Sequence, residues 1–134
     1  MHTGTKVRYL VFVSTVCADA GEIDQYRAVF ASRTRADMSF QKHVQAARRK
    51  IDKEIDIIEY PENNLVFESP YFLHAALIEL PASAARSPGA AVEWVSLQIA
   101  EFGDEAVNVL ALESACFDSR GESLASAELN EFWP

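Results

Sequence analysis

Along residues 6–13 apolar and polar positions alternate, with Val7, Tyr9, Val11 and Val13 on one side and Lys6, Arg8, Leu10 and Phe12 on the other. Period-two spacing rich in β-branched and aromatic residues predicts a first strand. Beyond it, Asp19 followed three positions later by Glu22 has the spacing of a capping box, and Ile23, Tyr26 and Phe30 recur three or four apart. That rhythm predicts a first helix reaching about residue 32. A second start signal, at Asp37 or Ser39, opens a run in which Phe40, Val44, Ala47, Ile51 and Ile55 keep helical spacing, with Lys42, Arg48, Arg49 and Lys50 between them. The expectation is an amphipathic helix with a basic face.

Ile55 and Ile57, the turn-forming Pro61-Glu62-Asn63-Asn64 and then Leu65, Val66 and Phe67 read as a hairpin rather than as more helix. Residues 71–80 read as a strand in preference to a helix capped by Ser69 and opened by Pro70. In residues 90–102 Val92, Val95, Ile99 and Phe102 form a helical stripe, and Gly103 supplies the stop. A strand over 106–112 and a terminal helix over 122–132 complete the chain. The order matches a ferredoxin-like split βαβ sandwich of the α+β class, βα(α)ββαβ plus a C-terminal helix, with helices packed on an antiparallel sheet. Both faces of that sheet carry apolar residues, since Leu10 and Phe12 back the Val7, Tyr9, Val11 and Val13 face. A cover is therefore expected on the second face, from the chain's own terminal helix or from another subunit.

Length and composition fit this picture. A chain of 134 residues, 49% hydrophobic and 24% charged, is one domain with a single packed core, spanning residues 1–134. Its longest apolar runs, residues 9–13 and 72–80, fall well short of the roughly 20 residues of a membrane helix. Lys6 and Arg8 precede an apolar stretch ending in Ala18-Asp19-Ala20, a small-x-small cleavage pattern that makes a periplasmic location the alternative. Ser14 and Thr15 interrupt that stretch, and the strand reading accounts for it, so the expected location is cytoplasmic.

Candidate chemistry is sparse. His2, His43 and His74 are scattered, and Cys17 and Cys116 lack C-x-x-C or other ligand spacing, so neither a metal nor a cofactor is expected. No glycine-rich phosphate loop, G-x-S-x-G or H-E-x-x-H motif occurs, and no residue is assigned a catalytic role. With the first helix placed at residue 19, Cys17 would lie close to a helix N-terminus, where a thiolate is favoured; a buried, inert thiol is the preferred reading.

Charge is the most informative feature. Residues 1–53 carry ten Lys/Arg against five Asp/Glu, and residues 54–134 carry two against fifteen, which together make the net −8 of the chain. Glu101, Asp104, Glu105, Asp118, Glu122, Glu128 and Glu131 sit in a segment whose one positive charge is Arg120. Such a surface steers toward a basic macromolecular partner, for instance a nuclease-like or nucleic-acid-binding protein. The leading expectation is thus a non-enzymatic inhibitor or immunity-type binding protein that occludes a basic partner through its acidic C-terminal half. A second expectation is a small-molecule-binding or enzymatic dimer with a pocket on the second sheet face, where Cys17, His74 and Tyr9 would matter. A third is a regulatory nucleic-acid binder using Arg33, Arg35, Lys42, Arg48, Arg49, Lys50 and Lys53. The overall acidity disfavours nucleic acid as a partner. The basic and acidic clusters could also pair between two copies in a homodimer.

Overall fold

A computed structural model describes residues 6–17, 22–53, 56–59, 65–68, 71–103, 106–117 and 133. The elements run β1 (Val7–Cys17), β2 (Glu22–Phe30), α1 (Arg33–Lys53), β3 (Asp56–Glu59), β4 (Leu65–Glu68), β5 (Tyr71–Pro81), α2 (Pro88–Phe102), α3 (Ala106–Leu110) and β6 (Ala111–Phe117). Four strands form one sheet in the order β2-β1-β5-β6, and β3 and β4 form a separate hairpin. Every neighbouring pair is antiparallel.

The two central strands organise the domain. β1 and β5 pair over their whole length, from Val7 opposite Pro81 to Cys17 opposite Tyr71. Because side chains alternate across a strand, each of these strands must satisfy two faces. On one face Val11, Val13, Leu73, Ala75 and Leu77 pack with Ala36, Phe40 and Val44 of α1. On the other, Leu10, Phe12, Ala76, Ile78 and Leu80 pack with Ala91, Val92 and Val95 of α2 and with Val107 of α3. The domain is therefore three layers thick, α1 on one side of the sheet and α2 with α3 on the other.

The cover expected on the second face comes from within the chain. Besides α2 and α3, Trp133 contributes: its ring lies 4.6 Å from that of Phe12 between centroids. The Trp133 Nε1–H donates to Ser96 Oγ at 3.1 Å and toward the Val92 carbonyl at 3.4 Å, giving the indole the polar partner that buried tryptophans need. The terminal helix expected over 122–132 lies outside the described residues.

The α+β class, the antiparallel sheet and the packed helices are as expected, but two segments correct the predicted order of connections. Residues 22–30 form a strand, not the first helix, so β1 returns directly as a hairpin and the first crossover of the split βαβ plan is replaced. The register explains why. Val13 lies opposite Tyr26, Val11 opposite Ala28 and Tyr9 opposite Phe30, so Tyr26, Ala28 and Phe30 form a period-two set that extends the face covered by α1. Helical spacing at three residues masked that alternation. Cys17, in turn, ends β1 between Glu22 and Tyr71 of its neighbouring strands, and no helix begins beside it.

The second correction concerns residues 106–110, which form a short helix where a strand was expected. Ala106 and Val107 are buried and Val109 is 81% exposed, which is the helical rather than the alternating choice of inward positions. The last strand starts only at Ala111. It carries a bulge: Leu77 faces Glu113 while Ile78 faces Ala111, leaving Leu112 as the extra residue.

The remaining elements follow their sequence signals. α1 starts four residues before Asp37 because Ser32 caps it, its Oγ accepting from the Arg35 N–H at 3.3 Å and its carbonyl from the Ala36 N–H at 3.0 Å. The β3–β4 hairpin and the β5 strand match their predicted places. At α2, Ser87 Oγ accepts from the Ala90 N–H at 3.1 Å and Pro88 opens the first turn. Gly103, at φ 91°, ends it while its N–H donates to the Ile99 carbonyl.

Phe12 is 1% exposed and touches both α2's layer and Trp133, so Phe12→Ala is expected to cost about 3–5 kcal/mol of unfolding free energy in urea denaturation. Met38→Ala, at a position 68% exposed, should change it by less than about 0.5 kcal/mol.

Candidate functional site

The predicted basic residues all fall on α1, a 21-residue helix holding seven cations against Asp37 and Asp52. Ala36, Phe40 and Val44 turn toward the sheet. Arg35, Lys42 and Arg49 recur seven apart and are exposed, on the side of the helix away from that stripe. Arg33 approaches Asp37 Oδ2 at 3.8 Å, both side chains being well exposed, and Arg49 Nε donates to the Gln45 carbonyl at 3.4 Å. Arg48 and Lys50 are exposed as well; Lys53 closes the helix.

Of the predicted acidic surface, only Glu101 is described, exposed in the last turn of α2; Asp104, Glu105, Asp118, Glu122, Glu128 and Glu131 lie outside the described residues. α2 has a clear outer face nonetheless. Glu93, Leu97 and Glu101 succeed one another every four residues, all exposed, with Leu97 at 60% and Phe102 at 69%. The helix contains no Lys or Arg. Among the described residues the two long helices differ in charge, while Arg8, Arg27 and Arg86 also stand on the α2 side of the sheet. The basic helix covers one face of the sheet and the acid-bearing helix the opposite one.

Between α1 and the β1–β2 hairpin lies a pocket of about 350 Å³, lined among others by Thr15, Tyr26, His43 and Lys50. The Tyr26 ring stacks on His43 with centroids 3.6 Å apart and planes 12° apart, and the Tyr26 hydroxyl is 3.0 Å from Ser39 Oγ. His43 Nδ1 sits 2.8 Å from the Ser39 carbonyl. A carbonyl can only accept, so in this contact Nδ1 carries a proton and donates it. This cluster pins α1 to β2. The sequence offered His43 only as an isolated histidine, because Tyr26 was assigned to a helix.

On the other side of the sheet a second cleft, of about 410 Å³, is lined by Arg8, Arg27 and Arg86 from three separate parts of the chain. The second sheet face itself is filled at its centre, Leu10, Phe12, Ile78 and Leu80 being at most 1% exposed. The cleft lies at its edge.

Two titrating groups are perturbed. His74, fully buried in β5, has its pKa pushed down from 6.5 to about 4 by burial, so it is neutral at physiological pH. Glu113 of β6 is raised, first by a hydrogen bond with the Asp37 carboxyl, then by burial and by the Asp37 charge, with Arg33 pulling the other way. This carboxyl pair joins β6 to the first turns of α1. Among the described residues no three His, Cys, Asp or Glu side chains are gathered so as to hold a metal ion, and no helix is long and apolar enough to cross a membrane.

Comparison with protein-family models, with curated proteins and with solved structures finds no match to this chain.

The His74 shift fixes a pH dependence. Its folded pKa lies below the unfolded one, so its contribution to stability is complete above about pH 6.5 and is lost as pH falls toward 4. The loss should be on the order of 2 kcal/mol. Denaturation curves of wild type and His74→Gln across that window should differ in slope, the wild type falling more steeply toward acid; parallel curves would show that His74 is not the group responsible.

Proposed function

We propose that this chain is a non-enzymatic protein-binding factor of the inhibitor or immunity type, which blocks a basic partner through an acidic surface built on the outer side of α2. The outer face of that helix is the observation that carries the reading. Leu97 stands exposed between Glu93 and Glu101, and Phe102 is exposed at the end of the same helix. An apolar centre with a charged rim is the usual composition of a protein interface. Glu101 occupies the last turn, where the helix dipole disfavours a carboxylate by about 0.3–1 kcal/mol. Asp104 and Glu105 follow directly in the chain and extend the same charge. A carboxylate retained against the local dipole is better explained by an external cation than by helix stability.

A second reading rests on α1. Arg33 and Arg35 occupy its first turn, again against the dipole, and Arg35, Lys42 and Arg49 present a cationic stripe to solvent. This face suits an anionic partner, nucleic acid included, or the acidic face of a second copy of the chain. A mobility shift with duplex DNA or RNA at low salt, weakened by added salt, would support the nucleic-acid version, and the absence of any shift would remove it.

For the leading reading, tagged chain is used to capture a partner from its native host, and association kinetics are then measured at low salt. The triple charge reversal of Glu101, Asp104 and Glu105 to Lys is expected to slow association by about an order of magnitude or more, with Leu97→Asp speeding dissociation. An association rate that does not change with the charge reversal would overturn the proposal.

A further inference from the structure

Arg8 comes from β1, Arg27 from β2 and Arg86 from the segment leading into α2, yet all three line the same cleft of about 410 Å³. Arg8 and Arg27 point to the same face of the sheet, since Leu10 and Phe12 share it with Val29 and with the Arg27 position opposite Phe12. The groups that orient them are neutral. Arg8 Nη1 donates to the Ala85 carbonyl at 3.0 Å. Arg27 donates from Nε and Nη2 to Gln25 Oε1, at 3.1 and 2.7 Å, and its guanidinium carbon stands 5.9 Å from the centre of the Phe12 ring. Two of the three guanidinium groups are thus held in place without being neutralised by these contacts, and each retains further N–H donors. Arg86 is exposed.

No carboxylate lines the cleft among the described residues. That is notable in a chain with 20 acidic residues and 12 basic ones, where each Arg could readily have been given an acidic neighbour. Three like charges facing one cavity repel each other, a cost that a bound anion relieves. Ser87 Oγ at the adjoining helix start accepts from the Ala90 N–H, which leaves its own O–H as a further donor beside the arginines. Guanidinium forks match phosphate oxygens in pairs, which a single ammonium cannot do. The cleft also exceeds the size of a lone phosphate, and Val29 and Pro88 form part of its wall, offering apolar contact to an organic remainder.

We infer that this cleft binds a phosphate-bearing small molecule, its phosphate held among Arg8, Arg27 and Arg86. It lies on the α2 side of the sheet, near the start of that helix, away from the Glu101 end proposed to meet a protein partner. The site is independent of that reading.

The test uses the full chain and inorganic pyrophosphate as the probe, followed by titration calorimetry and by thermal unfolding at constant ionic strength. Saturable binding and a rise in melting temperature are expected for the wild type, with sodium chloride at matched ionic strength giving neither. Arg86→Ala, a change on an exposed loop, and Arg27→Gln should each weaken binding roughly tenfold. The double variant Lys42→Ala with Arg49→Ala, on the opposite side of the sheet, should leave it unchanged. Absence of saturable binding by the wild type would overturn the inference. So would an equal loss in the α1 double variant, which would reduce the effect to general electrostatic attraction.

Discussion

Double-sided burial of the central β1–β5 pair is the constraint on which the rest of this structure depends. Leu10, Val11, Phe12, Leu73, Ala75, Ala76, Leu77 and Ile78 are all at most 1% exposed, although consecutive residues point to opposite faces. A sheet with one wet side could not contain such a run. Two covers are therefore obligatory, and the chain supplies them as α1 on one face and α2, α3 and Trp133 on the other. Ala36 and Ala91, on the helices, and Ala75 and Ala76, on β5, are small residues within the two packed layers. The same sandwich keeps His74 neutral, because no water reaches the ring to stabilise its charged form.

The sandwich also separates charge. α1 and α2 lie on opposite sides of a sheet whose interior is apolar, so the cations of one helix and the carboxylates of the other cannot pair directly within the domain. Both helices even carry charges at the ends where their own dipoles disfavour them. The result is two helices of different charge facing opposite sides of the sheet, with the three arginines near the start of α2 adding cations on the α2 side. The Asp37–Glu113 contact is the exception, since it brings two carboxyl groups together at the α1–β6 junction, where the hydrogen bond from the Asp37 side, burial and the Asp37 charge hold the Glu113 pKa above its ordinary value.

The candidate sites were unequally legible. The basic face of α1 could be read from spacing, because Arg35, Lys42 and Arg49 belong to one helix and periodicity along one element needs no tertiary information. The acidic segment was legible as composition, but the outer face of α2 with Leu97 and Phe102 depends on knowing which side of the helix the sheet takes. Arg8, Arg27 and Arg86 carried no sequence signal at all. They meet because a hairpin sets β2 beside β1 and because the segment after β5 folds back across the sheet edge, events set by strand pairing rather than by local spacing. The Tyr26–His43 stack was missed for the same reason.

By itself the sequence determined the class of the domain, the first and fifth strands, the β3–β4 hairpin, the two long helices and the unequal charge of the two halves. Each of these follows from a local rhythm or a local turn chemistry. Only the tertiary structure decided the fate of residues 22–30, where Ile23, Tyr26 and Phe30 satisfy helical spacing and Tyr26, Ala28 and Phe30 satisfy strand spacing equally well. The open edge of β1 offered backbone hydrogen bonds along the whole segment and a place for Tyr26 and Phe30 beneath α1. A lone helix there would have left that edge unpaired. The same competition settled residues 106–110, where Val107 is buried and Val109 is 81% exposed, a split between two positions that a strand would put on one face. Where two periodicities fit one segment, the neighbour that supplies hydrogen bonds and apolar contact chooses between them, and that neighbour is distant in sequence.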